Sequence, residues 1–124
     1  MITGIGIDVV YVKRMERWLE NTRLLERFFH PDELNIAISR GSGAALSLAA
    51  RFAAKEAFGK ALGTGIFNLT LKNIAVVNTQ NGKPELRLFK TALEAFENSG
   101  ANKVHISLTH EKDNAIAMIV LEKV

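Results

Sequence analysis

The sequence contains no cysteine, which excludes disulfide scaffolds, cysteine nucleophiles and thiolate metal sites. It also has no apolar run long enough to cross a bilayer; the uncharged stretch 41–50 is short and rich in glycine and serine. No basic cluster precedes the first acid, Asp8, so the N-terminal residues are not typical of a secretory signal. We therefore expect a cytoplasmic protein with no membrane partner.

What is present fits one compact domain over residues 1–124. The chain is 48% hydrophobic and 23% charged, an ordinary balance for a soluble protein, and its length is typical of a single domain. The net charge of +3 is a mild bias toward anionic partners. Charge alone leaves nucleic acid, a nucleotide cofactor and an acidic protein open.

The hydrophobic pattern predicts an α+β fold, with a mostly antiparallel sheet packed against one long helix and several shorter ones. Strands are predicted at 2–10, 69–79, 85–89, 104–109 and 115–122. Helices are predicted at 12–19, 24–29, 31–39, 44–62 and 91–98. The dipeptide Asn81-Gly82 is a strong hairpin signal between the second and third strands.

The long helix carries polar residues on two sides. Ser47, Arg51 and Lys55 lie four residues apart and form one stripe, whereas Glu56 and Lys60 fall roughly opposite. A helix that rests on a core has only one polar face. Glu56 and Lys60 are therefore either a helix-stabilising ion pair or part of a site.

Asp8 interrupts a strand that is otherwise apolar or glycine. A buried carboxylate needs a cation, hydrogen-bond donors or a metal; the alternative is a strand-end residue that faces solvent or caps the next turn. If Asp8 and Glu56 converge, the two carboxylates make an oxygen-ligand site suited to magnesium.

The strand at 104–109 alternates, so that His105, Ser107 and Thr109 share one face. That face is either exposed sheet or the floor of a site. The histidine spacing does not indicate zinc, because no third ligand accompanies it.

Two loops have the composition of anion sites. Gly63, Thr64 and Gly65 follow the long helix, where small residues cap the helix and also let backbone amides approach a phosphate. The loop is not a Walker A motif, whose glycines precede a helix. The tip at 81–84 is a hairpin turn that can also set an amide and an ammonium beside an anion.

The first helices carry basic residues interleaved with glutamates, among them Arg14, Arg17 and Arg23. This pattern is either a solvated face of mixed charge or a docking surface for an acidic protein.

Taken together, four segments resemble the holo-[acyl-carrier-protein] synthases, the small-chain phosphopantetheinyl transferases. The segments are GIGIDVV at 4–10, RFAAKEAFGKALGTG at 51–65, NGKP at 81–84 and HISLTH at 105–110. The resemblance runs essentially end to end. It implies an enzyme that moves the 4'-phosphopantetheine group from coenzyme A to a serine of apo acyl carrier protein, with magnesium, and releases 3',5'-adenosine bisphosphate.

The resemblance also implies roles for single residues. Asp8 and Glu56 would hold Mg²⁺, Lys60 would neutralise the transferring phosphate or protonate the leaving group, and His105 is counted with this catalytic group. The base would be Glu56 or a magnesium-bound water. Coenzyme A contacts are implied for Arg51, Lys60, Gly63, Thr64, Gly65, Asn81, Gly82, Lys83, Pro84, Thr109 and His110. Carrier docking is implied for Arg14, Arg17 and Arg23, and a homotrimer with sites shared between subunits is expected.

Two positions depart from the family pattern: Tyr11 stands where an acid is usual, and Glu111 stands where a small polar residue is usual. Two other classes remain to be weighed. A small nucleic-acid-binding domain would need clustered positive charge and exposed aromatics on a sheet, which the late strands lack. An inactive coenzyme-A-binding trimer would not need Asp8 and Glu56 together.

Overall fold

The computed structural model describes residues 1–124 and confirms the α+β fold. The strands are β1 Ile2–Tyr11, β2 Ile74–Asn78, β3 Pro84–Leu88, β4 Lys103–His110 and β5 Asn114–Glu122. The helices are α1 Val12–Trp18, α2 Thr22–Phe28, α3 Pro31–Ser39, α4 Ala44–Leu62 and α5 Lys90–Asn98.

All strand pairing is antiparallel, in two separate sheets. One sheet has the order β1-β5-β4, and the other is the β2-β3 hairpin. The central strand β5 turns Ala115, Ala117, Ile119 and Leu121 toward α4, and all four are buried. Alternation along β5 therefore places the core between the larger sheet and the long helix.

Strand β1 lies unusually close to α4 at two glycines. A Cβ atom on Gly6 would stand 1.8 Å from the Ala57 carbonyl oxygen, and one on Gly4 would stand 1.9 Å from that of Ala61. Only residues without a side chain fit this approach. Because side chains alternate along a strand, Asp8 points to the same helix.

Helix α4 ends as predicted at Gly63, which adopts the left-handed conformation with φ of 86°. Its stripe of Ser47, Arg51 and Lys55 is buried rather than solvated. No helix in the structure has the length and apolar character needed to cross a bilayer.

The predicted strand at 69–79 is shorter in the structure. Leu71–Asn73 forms a 3₁₀ turn, and β2 begins only at Ile74. The carbonyl groups of Leu71 and Ile74 accept hydrogen bonds from the Lys55 ammonium. This tertiary contact replaces the strand pairing that local β propensity favours.

Candidate active site

Asp8, Glu56 and Lys60 meet where β1 crosses α4. Lys60 Nζ donates to Asp8 Oδ1 at 2.9 Å and to the Ile7 carbonyl at 3.0 Å. The Asp8 side chain is only 12% exposed, so the carboxylate is held in a partly desolvated position by one cation. The interpretation of Asp8 as a solvent-facing strand end is therefore wrong.

Glu56 lies one helical turn before Lys60 and is half-buried. Burial raises the pKa of the Glu56 carboxyl and the charge of Asp8 raises it further, whereas Arg14 and Lys60 act in the opposite direction. Two carboxylates that repel each other fit a hard divalent cation, which prefers oxygen ligands. The structure has no group of three or more acidic or histidine ligands. A Mg²⁺ ion here would therefore keep positions for water and phosphate oxygens.

The glycine loop that follows α4 folds back over the last turn of the helix. Gly65 N donates to the Gly59 carbonyl at 2.9 Å, and a Cβ atom on Gly59 would stand 2.4 Å from the Gly65 carbonyl oxygen. Gly65 has φ of 63°, which favours glycine. The loop is thus held within one turn of Lys60.

A second cluster surrounds Arg51, in the N-terminal half of α4. Arg51 lines a cavity of about 270 Å³ together with Ser47, Asn78, Thr109 and His110. Its guanidinium donates to Ser47 Oγ and, at 3.4 Å, to Asn78 Oδ1. Arg51 is 4% exposed and its Nε has no hydrogen-bond partner.

The electrostatics of this cavity favour an anion. Burial lowers the pKa of Arg51; the charge of Glu33 raises it and that of Arg40 lowers it. Arg40 also lines the cavity. A buried cation with an unpaired donor gains most from a phosphate or carboxylate, which accepts charge-assisted hydrogen bonds.

The hairpin tip is tied to the Arg51 cavity. Asn78 Nδ2 donates to the Gly82 carbonyl at 3.1 Å, while the Lys83 amide donates to Thr79 Oγ1 at 3.2 Å. Lys83 and Pro84 also line a larger cleft of about 750 Å³ between the hairpin, α5 and β4. The tip therefore lies between two cavities.

His105 lies apart from the Asp8 cluster within one chain. It stands on the exposed face of β4, with Nε2 at 2.9 Å from Glu122 Oε1; this hydrogen bond lowers the pKa of Glu122. Pairing through β5 aligns His105 with Ile5, three residues before Asp8. That offset is roughly 10 Å along the strands, with β5 in between, so a catalytic role for His105 stays a prediction.

Arg14 is held in place by aromatic rings, which the sequence analysis missed. Its guanidinium lies 5.2 Å from the Trp18 ring centroid and 5.0 Å from that of Phe52. Trp18 is one turn after Arg14, a spacing that could have revealed the pair; Phe52 comes from α4 and carried no such signal. Arg17 and Arg23 are exposed on α1 and α2.

The structure shows the surroundings of Tyr11 and Glu111, the two residues that depart from the family pattern. Tyr11 is exposed and precedes α1 without capping it. Glu111 caps the β4–β5 turn: its carboxylate accepts from the Asp113 amide at 3.0 Å and from Asn114 Nδ2 at 2.7 Å. These hydrogen bonds lower the pKa of Glu111. The Glu111 carboxylate thus forms hydrogen bonds within the turn, and Glu111 does not line the Arg51 cavity.

Comparison with known proteins shows the family to which the chain belongs. Residues 4–119 match the model of the 4'-phosphopantetheinyl transferase superfamily. The chain is 56% identical over 122 residues to a holo-[acyl-carrier-protein] synthase of Treponema denticola, covering 98% of this chain and 99% of that one.

Two solved structures show the same fold. A holo-[acyl-carrier-protein] synthase from Neisseria meningitidis has a TM-score of 0.88 at 36% identity, covering 99% of this chain and 100% of that one. One from Bacillus anthracis, in complex with CoA (3',5'-ADP), has a TM-score of 0.83 at 38% identity, covering 100% and 99%. The chain thus belongs to the 4'-phosphopantetheinyl transferase superfamily and is an enzyme of the holo-[acyl-carrier-protein] synthase kind. The resemblance drawn from the sequence is confirmed.

Proposed function

We propose that residues 1–124 form one catalytic domain that transfers 4'-phosphopantetheine from coenzyme A to a serine of apo acyl carrier protein and releases 3',5'-adenosine bisphosphate. The observation that carries the proposal is the convergence of Asp8, Glu56 and Lys60 at the crossing of β1 and α4. Phosphoryl-type transfer needs positioning and charge neutralisation more than covalent help. These three side chains offer both.

Asp8 and Glu56 are the residues that would hold Mg²⁺. When bound, the ion would supply charge neutralisation at the coenzyme pyrophosphate. Lys60 adds a second positive charge beside it, on a side chain that bonds to Asp8 and Ile7 and is 53% exposed to a ligand.

Glu56 is our candidate base for the serine proton. A water held by the bound ion is the alternative base, because either group would lie within hydrogen-bond reach of a serine at this site. Lys60 is placed to stabilise charge on the leaving bisphosphate, or to give it a proton. The bond formed joins the serine oxygen to the β-phosphorus, and the bond broken joins that phosphorus to the leaving oxygen.

The coenzyme would use both anion-binding clusters. Glycine loop 63–65 and Lys60 lie at one end of α4, whereas Arg51, Thr109 and His110 surround the cavity toward the other end. We propose that a site is completed by joining these clusters from neighbouring subunits of a homotrimer.

The sheet offers a surface for that assembly. Its outer face carries rows that run from apolar side chains on β1 to polar ones on β4: Ile5, Val120 and His105; Ile7, Met118 and Ser107; Val9, Ile116 and Thr109. Ile5, Ile7 and Val9 are each about 60% exposed. An apolar strip of this kind is typical of a subunit contact.

The acidic carrier protein would dock on α1 and α2, through Arg14, Arg17 and Arg23. Arg14 is preorganised by its two aromatic neighbours and contributes to the field at Glu56. A carrier bound there would bring its serine toward the metal ligands. Charge complementarity at such a surface chiefly speeds association.

Intact-mass spectrometry tests the proposal. The purified protein is incubated with apo acyl carrier protein, coenzyme A and magnesium, in parallel with a chelator control. We expect the carrier to gain the mass of one phosphopantetheine, and the chelator to prevent it. No gain with several carriers, despite coenzyme binding, would instead support the inactive coenzyme-A-binding protein.

A further inference from the structure

A fully buried ion pair joins α3 to α4. Lys55 Nζ donates to Glu33 Oε1 at 2.5 Å, and neither side chain is exposed. The other Glu33 oxygen accepts from the Val76 amide at 2.9 Å. Lys55 also donates to the carbonyls of Leu71, at 3.0 Å, and Ile74. Glu33 Oε1 also accepts from the amide of His30, the N-cap of α3, at 3.0 Å. The other partners of the pair outside the two helices belong to the segment that enters or forms β2.

The pair is not explained by stability alone. Burial lowers the pKa of Lys55, and the charge of Glu33 only partly offsets this. Desolvating two charges costs free energy that their attraction repays only in good geometry, and apolar replacements are often neutral or stabilising. The backbone contacts of this pair indicate that it fixes the start of β2 on α3 and α4.

The segment that the ion pair holds continues into the residues around the Arg51 cavity. Two residues beyond Val76, the Asn78 side chain bridges Arg51 and the Gly82 carbonyl of the hairpin tip. Arg51 lies one turn before Lys55 on the same buried stripe of α4. The start of β2 is therefore anchored to the helix that carries Arg51, and its end carries the tip.

We infer that Glu33 and Lys55 are positioning residues for coenzyme binding, which fix the β2–β3 hairpin on α4 and thereby set the distance between Arg51 and the 81–84 tip. This inference rests on the proposed function, in which both features contact coenzyme A. Neither Glu33 nor Lys55 lines the Arg51 cavity. The hydrogen bonds of Asp8 and Lys60 join β1 to α4 and include neither member of the pair.

The double variant E33Q/K55M tests this role. It removes both charges together and so leaves no unpaired buried ion. We expect the dissociation constant and the KM for coenzyme A to rise by about tenfold, with kcat at saturating coenzyme within about twofold of wild type. Hydrogen exchange of the amides of residues 74–84 should become faster. A second variant, E33Q, keeps the Lys55 hydrogen bonds to the Leu71 and Ile74 carbonyls but leaves the ammonium without its carboxylate. It should therefore lose more stability than the double variant while raising the dissociation constant less.

Met15→Ala is the matched control. Met15 is fully buried on α1, away from the hairpin, and its truncation lowers the melting temperature without touching the pair. We expect it to leave coenzyme affinity unchanged. Equal weakening by Met15→Ala and by E33Q/K55M would overturn the inference, because generic loss of stability would then explain both.

The remaining outcomes are also decisive. If wild-type protein binds no coenzyme A in calorimetry, the proposed function fails. If wild type binds and E33Q/K55M binds equally well, only the positioning role fails. Should the double variant not fold, folded E33Q with unchanged coenzyme affinity would likewise overturn the inference.

Discussion

Single side chains define the chemistry of this protein, and the most informative is Asp8. Its carboxylate is nearly buried and is met by one ammonium, that of Lys60. Glu56 adds a second carboxylate whose pKa is raised by burial and by Asp8. The two carboxylates repel each other, and a bound divalent cation with its phosphate ligand would reduce that repulsion.

Replacement of Asp8 tests the metal ligand. We expect Asp8→Ala to lower kcat for transfer at saturating magnesium by at least about a hundredfold, since charge stabilisation at the phosphate would be lost. Coenzyme binding measured by calorimetry should persist through the Arg51 cluster. Asp113→Ala, in the β4–β5 turn, is the matched control and should retain activity. Full turnover by Asp8→Ala would contradict the assignment.

Glu56 gives a prediction about stability and pH. A carboxyl whose pKa is raised by folding destabilises the native state once the pH exceeds that pKa, because it must then carry charge in a desolvated place. Glu56→Gln should therefore raise the melting temperature of the metal-free protein at about pH 7. The gain should shrink as the pH falls below the raised pKa of Glu56 and should vanish below the ordinary carboxyl pKa, where Glu56 is neutral in both states. Thermal melts over this range, with exposed Glu16→Gln as the control, measure the effect; an equal gain for Glu16→Gln would contradict it.

At this scale the sequence supported much of the site. Asp8 was recognisable because a carboxylate is costly in an apolar strand, and Glu56 with Lys60 because they form a second polar side of the long helix. Their roles came from the family resemblance. Lys55 was different: its stripe position could not reveal that it is completely buried. Its partner Glu33 is distant in sequence, and only the fold brings the two together.

Secondary-structure elements set the position of these side chains, and the crossing of β1 and α4 matters most. The two glycines of β1 permit a backbone-to-backbone approach that places Asp8 against α4. The C-terminal glycine loop then folds back on α4 through Gly59. Close packing of backbone, rather than interdigitated side chains, builds this end of the site.

Gly6→Ala tests the crossing. A methyl group would overlap the Ala57 carbonyl oxygen, and overpacking of this kind typically costs about 1–3 kcal/mol. We expect a clearly lower melting temperature and reduced transfer, because β1 must move away from Glu56. Gly43→Ala is the matched control, since a Cβ atom there meets only Arg40 Cβ at 3.7 Å. Unchanged stability of Gly6→Ala would show that the crossing relaxes easily.

The sequence predicts the types and order of the elements, but it does not predict every element boundary. Element types and order follow from periodicity and turn residues, and they are confirmed. The predicted start of β2 was wrong: the Leu71 carbonyl bonds to the Lys55 ammonium, and the partner strand β3 ends opposite Ile74. A contact with a distant helix overrides local propensity, and no window of sequence contains it.

The whole molecule presents one apolar surface that the single chain leaves uncovered. Ile5, Ile7 and Val9 project from the outer face of the sheet. The Arg51 cavity lies beside the N-terminal half of α4, and glycine loop 63–65 follows its C-terminal end. Both features are accounted for if copies of the chain pack sheet to sheet and complete each other's sites. Sequence periodicity shows that side chains alternate, but it does not show which clusters a neighbouring copy would join.

Ile7→Lys tests assembly. Ile7 is 60% exposed, and a charge at its position would oppose burial of the outer face. We expect light scattering to report a trimer for wild type and a smaller species for Ile7→Lys, with transfer lost in parallel. Ile38→Lys is the control, because Ile38 is 56% exposed on α3, away from the sheet. A monomeric wild-type protein with full activity would contradict the shared-site proposal.

The glycines of β1 also determine the register in which this strand packs on α4. A slip of β1 by one residue against α4 would bring Ile5 or Ile7 to the point where Gly6 now faces the Ala57 carbonyl, and either side chain would collide with it. A β1 strand in the wrong register therefore cannot pack on α4, and only one register is compatible with the fold. Backbone packing of β1 on α4 therefore also sets the position of Asp8 along the helix relative to Glu56.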